Sequence, residues 1–301
     1  MVLHSLREDK SNGHRVAFSR ILIYKISGRT RLIHFVAAPS RESIMRKQTL
    51  LSITAAIALA ATLVVNYLAN ALPINGLGTG DISDRYDVLF KPAGYAFSIW
   101  GLIYLGLIGF AVYQASSRGR LDTDLIPVRI AFIINCLANA AWIFAWHYEQ
   151  LALSVLIMAV ILSSLVFIYL RLGVGRVVVP AATRWLVHHP FSLYLGWICV
   201  ATVANVTIFL DRIGWNGFGL SDTFWFIAVV LVALTLSALF ALRRRDLVVT
   251  LVFLWAITAV AVHNGETSGV NTLSWIAAGL AAVPVIIAWF RSVRFAARNT
   301  S

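Results

Sequence analysis

Ten residues of this chain share one kind of chemistry, flat aromatic faces and side-chain amides set at helical spacing. The stretch KPAGYAFSIWGLIYLG, residues 91–106, carries Tyr95, Phe97, Trp100 and Tyr104, and the last three fall on one helix face. Asn139, Trp142 and Trp146 follow Asn135 at spacings of 4, 3 and 4, which at 3.6 residues per turn is a single narrow stripe. Tyr194, Trp197 and Asn205 form a third face together with Ala201. Rings and amides of this kind stack on a planar partner and give it a few neutral hydrogen bonds. Together they suit a large, planar, weakly polar ligand. The same residues also read as packing aromatics and interhelical Asn pairs, and spacing alone leaves both readings open.

Rival chemistries find little support. Every Asp and Glu lies outside the apolar runs, so a buried proton relay or a cation path is not expected. His188 and His189 precede Pro190, and His263 stands near Asn264 and Glu266. Neither group makes a metal or haem set, and both read as interfacial polar residues. Asp81, Asp84 and Asp87 read as a solvated loop. No catalytic residue, metal or cofactor is therefore expected, and the chain is not read as an enzyme.

The elements that must position these faces are membrane helices. Hydrophobic residues make up 59% of the 301 and charged residues 13%, a balance that places the chain in the membrane class. About 20 apolar residues cross the hydrocarbon as a helix. Eight runs qualify, near 49–72, 97–115, 127–147, 151–170, 190–210, 223–242, 247–263 and 273–290. The alternation of a membrane barrel is missing, so the fold class is all-α, a polytopic helical bundle. His147 to Gln150 reads as a tight hairpin.

The net charge of +12 is distributed as flanking charge. Ten of the 25 Lys and Arg precede residue 49, and most others sit at the ends of apolar runs, which argues against a nucleic-acid face. Connections alternate in sign. Arg46 and Lys47, Arg118 and Arg120, Arg171, Arg176 and Arg184, the run Arg243 to Arg245, and Arg291, Arg294 and Arg298 mark one side. The other side carries Asp81, Asp84 and Asp87, then Glu149, Asp211, Asp222 and Glu266. Basic connections stay cytoplasmic, so both termini are expected there. Residues 1–48 are basic and lack a sustained apolar run; they read as a disordered tail or an upstream extension from a misplaced start, with a transit peptide as the third reading.

With this orientation Asn66, Asn70, Trp100, Tyr104, Asn139, Trp142, Trp146 and Asn205 share the outer half of the bilayer, and Tyr194 and Trp197 lie deeper. Asn139 is expected to face the fifth helix or a cavity and to tie the third helix to the Asn205 region.

These residues resemble the tryptophan-rich sensory proteins, relatives of the mitochondrial translocator protein (the peripheral benzodiazepine receptor). Three segments carry the resemblance. Pro92, Tyr95, Phe97, Trp100 and Tyr104 match the family's entry to its second helix. Asn135, Asn139 and Trp142 match its third, with Asn135 where Gln is usual. Tyr194, Trp197 and Asn205 match its fifth. Pro92-Ala93 stands in place of a double proline, the Phe-to-Trp spacing is one residue shorter, and Leu193 replaces a proline. The resemblance covers about residues 49–211 and implies a five-helix bundle that binds porphyrins, sterols or related planar hydrophobes, often as a homodimer, with a sensory or regulatory role in a bacterial plasma membrane. Residues 212–301 then form a three-helix extension. The runner-up is a transporter of a small hydrophobic or amphipathic solute, with the last three helices as the moving part and Pro284 as a helix break. In a third reading the protein is structural and every Asn face is interhelical glue.

Overall fold

The computed structural model describes residues 20–26, 29–35, 41–72, 74–266 and 269–298. It contains two compact units, residues 1–47 and 48–301. In the first, β1 (Arg20–Ile26) pairs antiparallel with β2 (Arg29–Phe35), Ile26 opposite Arg29 and Arg20 opposite Phe35. This hairpin stands within the segment 1–48 that reads as a disordered tail or an upstream extension. Ile21, Ile23, Tyr24, Ile26, Ile33 and Phe35 supply the β-branched and aromatic side chains that a strand favours, a signal too short to register as an apolar run. Residues 1–19, 27–28 and 36–40 of that expected tail lie outside the described residues.

Eight long helices follow. They are α1 (Arg41–Ala71), α2 (Ile99–Ala115), α3 (Leu125–His147), α4 (Leu151–Arg171), α5 (His189–Arg212), α6 (Asp222–Leu239), α7 (Leu247–His263) and α8 (Val270–Arg298). Among the described residues, seven helical segments are long and apolar enough to cross a membrane, and α7 is a shorter apolar helix of 17 residues. Outward-facing side chains are apolar, as Ile57 at 64% exposure and Leu105 at 67% show, the arrangement required where lipid is the solvent. The chain is an integral, multi-pass membrane protein.

α7 is buried over most of its surface, with Leu251, Trp255 and Val262 exposed on one face. Asp246 caps its first turn, accepting from the N–H groups of Val248 and Val249. Val249, Val252, Phe253, Ala256, Ile257 and Val260 are all buried. Neighbouring helices cover it, as befits a helix apolar on most of its circumference. It packs on α5, α6 and α8, and Val252 fills the space at Gly196 of α5, where a Cβ would approach it to 3.0 Å. Residues 48–301 are thus one compact unit, and the expected division at 211–212 is not a break in packing.

α3, α4 and α5 pack side by side, with α2 on α5. The α3–α4 hairpin turns at Glu149, in the left-handed region at φ 52, with Gln150 N–H donating to Ala145 O at 2.8 Å. Arg85 and Tyr86 hold that carboxylate at 2.6 and 3.0 Å. α1 joins the bundle through small and polar residues on one face. Thr62 Oγ1 donates to Cys136 O at 2.9 Å and Ser52 Oγ to Gln114 O at 3.5 Å. Within α1, Thr62 and Asn66 also donate to the carbonyl one turn back, so these polar groups cost little in an apolar helix. Pro284 lies within α8, which runs unbroken from Val270 to Arg298.

Candidate functional site

The entry to α2 is a 3₁₀ turn, Gly94–Ser98, and α7 holds it. Ala93 N–H donates to Ala259 O at 3.0 Å, Trp255 Nε1 donates to Ala96 O at 3.3 Å, and Asn264 Nδ2 donates to Leu89 O at 2.9 Å. From this anchored turn Phe97, Trp100 and Tyr104 project toward α1 and α3. A short helix, Thr79–Asp84, closes one end. Trp146 Nε1 donates to Thr79 O at 3.0 Å, and Lys91 Nζ donates to the carbonyls of Ser83 and Tyr86 at 3.2 and 2.7 Å.

Between these elements lies a cavity of about 710 Å³, within the range of small-molecule sites. α1 contributes Leu63, Asn66, Tyr67, Asn70 and Ala71 to its wall. The short helix contributes Thr79 and Gly80, the α2 segment Phe97, Trp100 and Tyr104, and α3 Trp142 and Ile143. Trp100 stacks on Tyr104, with ring centroids 5.4 Å apart and planes at 25°. On α3, Trp142 stacks on Trp146 at 5.2 Å and 18°. Trp100 and Tyr104 thus form one stacked wall, and Trp142 is backed by the parallel ring of Trp146, which does not itself line the cavity.

A second layer sets the first. Asn139 accepts from Asn66 Nδ2 at 2.9 Å and donates to Tyr194 Oη at 2.8 Å, joining α1, α3 and α5. Trp142 Nε1 donates to Asn205 Oδ1 at 3.0 Å, and Asn205 Nδ2 donates to Ser154 Oγ at 2.8 Å. Tyr194 and Trp197, both 1% exposed, meet Trp100 edge-on at 5.7 and 6.5 Å, and Phe97 meets Trp197 edge-on at 5.8 Å. The Trp197 indole N–H is buried without a hydrogen-bond partner.

Of the ten expected residues, Phe97, Trp100, Tyr104 and Trp142 line the cavity. Asn139, Trp146, Tyr194, Trp197 and Asn205 stand behind them. Tyr95 does not join: its ring packs edge-on against Trp255 at 5.2 Å, because a residue two before Phe97 falls on the opposite side of the helical face. Asn139 faces α5 as expected, but the bond to Asn205 belongs to Trp142. Tyr194 and Trp197 were expected deeper than Trp100 and lie in contact with it. The helical segment that contains α5 begins at Ala181 and has 32 residues, so Tyr194 is about 20 Å along it, at mid-span.

Sequence reasoning left Asn66, Tyr67, Asn70, Thr79 and Gly80 out of the site. The four-residue spacing of Asn66 and Asn70 was the available signal. Tyr67 is 71% exposed, and Thr79 and Gly80 lie in the connection between α1 and α2.

The lining carries no ionic group. Its polar edges are Asn66, Asn70, Thr79 and Tyr104. Both bonds made by the Asn66 side chain use its Nδ2, leaving Oδ1 as an acceptor, and Thr79 Oγ1 is buried without a partner. Among the described residues no three His, Cys, Asp or Glu side chains gather as a metal site.

A family model described as TSPO-like protein matches residues 52–290. The chain belongs to the TSPO-like protein family. The match extends through α8, beyond the five-helix stretch on which the resemblance was first drawn, so the TSPO-like unit here includes the helices that anchor the α2 entry. No curated protein and no solved structure matches the chain.

Proposed function

We propose that this TSPO-like protein binds one planar hydrophobic ligand, such as a porphyrin or a sterol, and acts as a membrane sensor or regulator. The observation that carries the reading is the cavity of about 710 Å³ lined by the stacked Trp100–Tyr104 pair and by Trp142, which stacks on Trp146 behind it, with a few neutral polar groups and no ionic side chain in its wall. Stacked rings accept a flat, polarisable face, and unpaired amide and hydroxyl groups reward a few edge contacts. A ligand with carboxylates keeps them at the cavity mouth, since no cation in the lining offsets their desolvation. Transport has less support, because α8 passes through Pro284 unbroken and gives no discontinuous helix at the site. With α7 as the eighth crossing, the alternation of basic and acidic connections supports cytoplasmic termini, and a bacterial plasma membrane and pairing of two copies belong to the same proposal.

Equilibrium binding and flux together test it. Protoporphyrin and a sterol should each bind the purified protein saturably and displace one another. Proteoliposomes should show no flux that follows a gradient of either compound. Gradient-dependent flux would replace the sensor with a transporter, and failure of both compounds to bind would reject the ligand class.

A further inference from the structure

The ends of α4, α6 and α8 meet around a second hollow, away from the aromatic cavity. Arg245 Nη1 donates to Gly175 O at 3.2 Å, in the turn after α4, and Arg291 Nη2 of α8 donates to Leu242 O at 2.8 Å, in the turn after α6. The space between them is about 200 Å³, lined by Arg245, Arg291, Arg294 and Phe295. The Arg245 guanidinium lies over the Phe295 ring at 4.5 Å.

Among the described residues none of the three arginines forms an ion pair with Asp or Glu. Asp246, next in sequence, is turned into the bundle, where it accepts from Tyr169 Oη at 2.9 Å, Ser192 Oγ at 2.7 Å and two N–H groups of α7. The turn itself is built at a cost. Arg245 occupies the left-handed region at φ 55, a position normally left to Gly or Asn at a helix end. Gly175 lets the neighbouring loop press on this turn, since a Cβ there would overlap the Arg244 carbonyl. Three like charges held around one void repel unless an anion enters.

We propose that this pocket binds a phosphoryl oxyanion. Guanidinium forks match phosphate oxygens in pairs, and basic pockets at helix ends fit lipid headgroups. Trp289 and Phe290, each 51% exposed, immediately precede Arg291 and set the pocket at the level where aromatic belts mark the membrane interface. The phosphate is therefore that of an anionic phospholipid, with inorganic phosphate as the other source of the same chemistry.

Thermal unfolding in neutral detergent tests this with three additives, phosphatidylglycerol, phosphatidylcholine and inorganic phosphate. Phosphatidylglycerol should raise Tm saturably and phosphatidylcholine should not. Arg294→Gln should weaken the effect about tenfold, the order expected when charge-assisted hydrogen bonds are lost. Arg243→Gln, an exposed arginine outside the pocket, should leave it unchanged. Should Arg294→Gln fail to fold, Arg294→Lys keeps the charge, loses the fork, and carries the same comparison. A response to inorganic phosphate alone keeps the phosphoryl site and removes the lipid. Equal loss in Arg243→Gln and Arg294→Gln, or equal stabilisation by phosphatidylglycerol and phosphatidylcholine, would overturn the proposal.

Discussion

Asn139 shows how one amide can organise a cavity it does not line. Its two bonds, to Asn66 and Tyr194, fix α1 and the ring that meets Trp100. Asn139→Leu keeps the volume but orphans the Tyr194 hydroxyl and takes from Asn66 one of its two bonds. Stability should fall by about 1–3 kcal/mol, read as a lower Tm, with affinity on the folded fraction little changed. Lost affinity at unchanged Tm would make Asn139 a ligand contact instead. Tyr86 gives a pH-dependent case outside the spans. Burial, then its hydrogen bond and proximity to Glu149, raise its pKa above the usual 10.0, outweighing Arg85 and Arg212. The folded state favours the neutral phenol, so this stabilisation is complete below pH 10 and is lost as pH rises toward the raised value. Tm should fall above pH 10 more steeply in the wild type than in Tyr86→Phe. Parallel curves would show that Tyr86 does not contribute. At this scale the sequence was informative where helices are regular: the 4, 3 and 4 spacing does place Asn139, Trp142 and Trp146 on one face. Tyr95, two residues before Phe97, lies off the face that Phe97, Trp100 and Tyr104 share, and spacing could not tell wall from support, because periodicity names a face and not the neighbour it meets.

Among the elements, α7 has the least expected role. Hydropathy marks Leu247–His263 as apolar, but says nothing of its hydrogen bonds to a loop more than 150 residues earlier. Those bonds use backbone groups of Ala93, Ala96 and Leu89, which leave no trace in residue type. Trp255→Ala removes the donor to Ala96 and the edge contact to Tyr95. Although Trp255 is outside the cavity, ligand affinity should fall about fivefold, equivalent to about 1 kcal/mol for one aromatic contact. Unchanged affinity and Tm would mean that the 3₁₀ turn holds itself.

Considered whole, residues 48–301 behave as one core. The spans were legible because lipid demands continuous apolar helix, and α7, at 17 residues, is the shortest of the eight apolar helices, with Leu251, Trp255 and Val262 on its exposed face. A chain ending at residue 211 would strip the cover from Gly196 and remove Asp246 from Tyr169 and Ser192. It should aggregate or elute as a broad peak in detergent, where the full chain should elute as one sharp peak. A monodisperse, ligand-binding 1–211 chain would restore the five-helix unit as self-sufficient.

The central claim is that a ligand sits between the Trp100 and Trp142 walls. An equilibrium titration of protoporphyrin against purified protein, followed by quenching of tryptophan fluorescence, tests it most directly. The combined Trp100→Ala and Trp142→Ala variant should bind about thirtyfold more weakly or worse, two walls at about 1 kcal/mol each. Trp275→Ala, half exposed and outside the cavity, should bind as the wild type does. Undiminished affinity in the double variant, with a cooperative thermal transition to show that it is folded, would contradict the account.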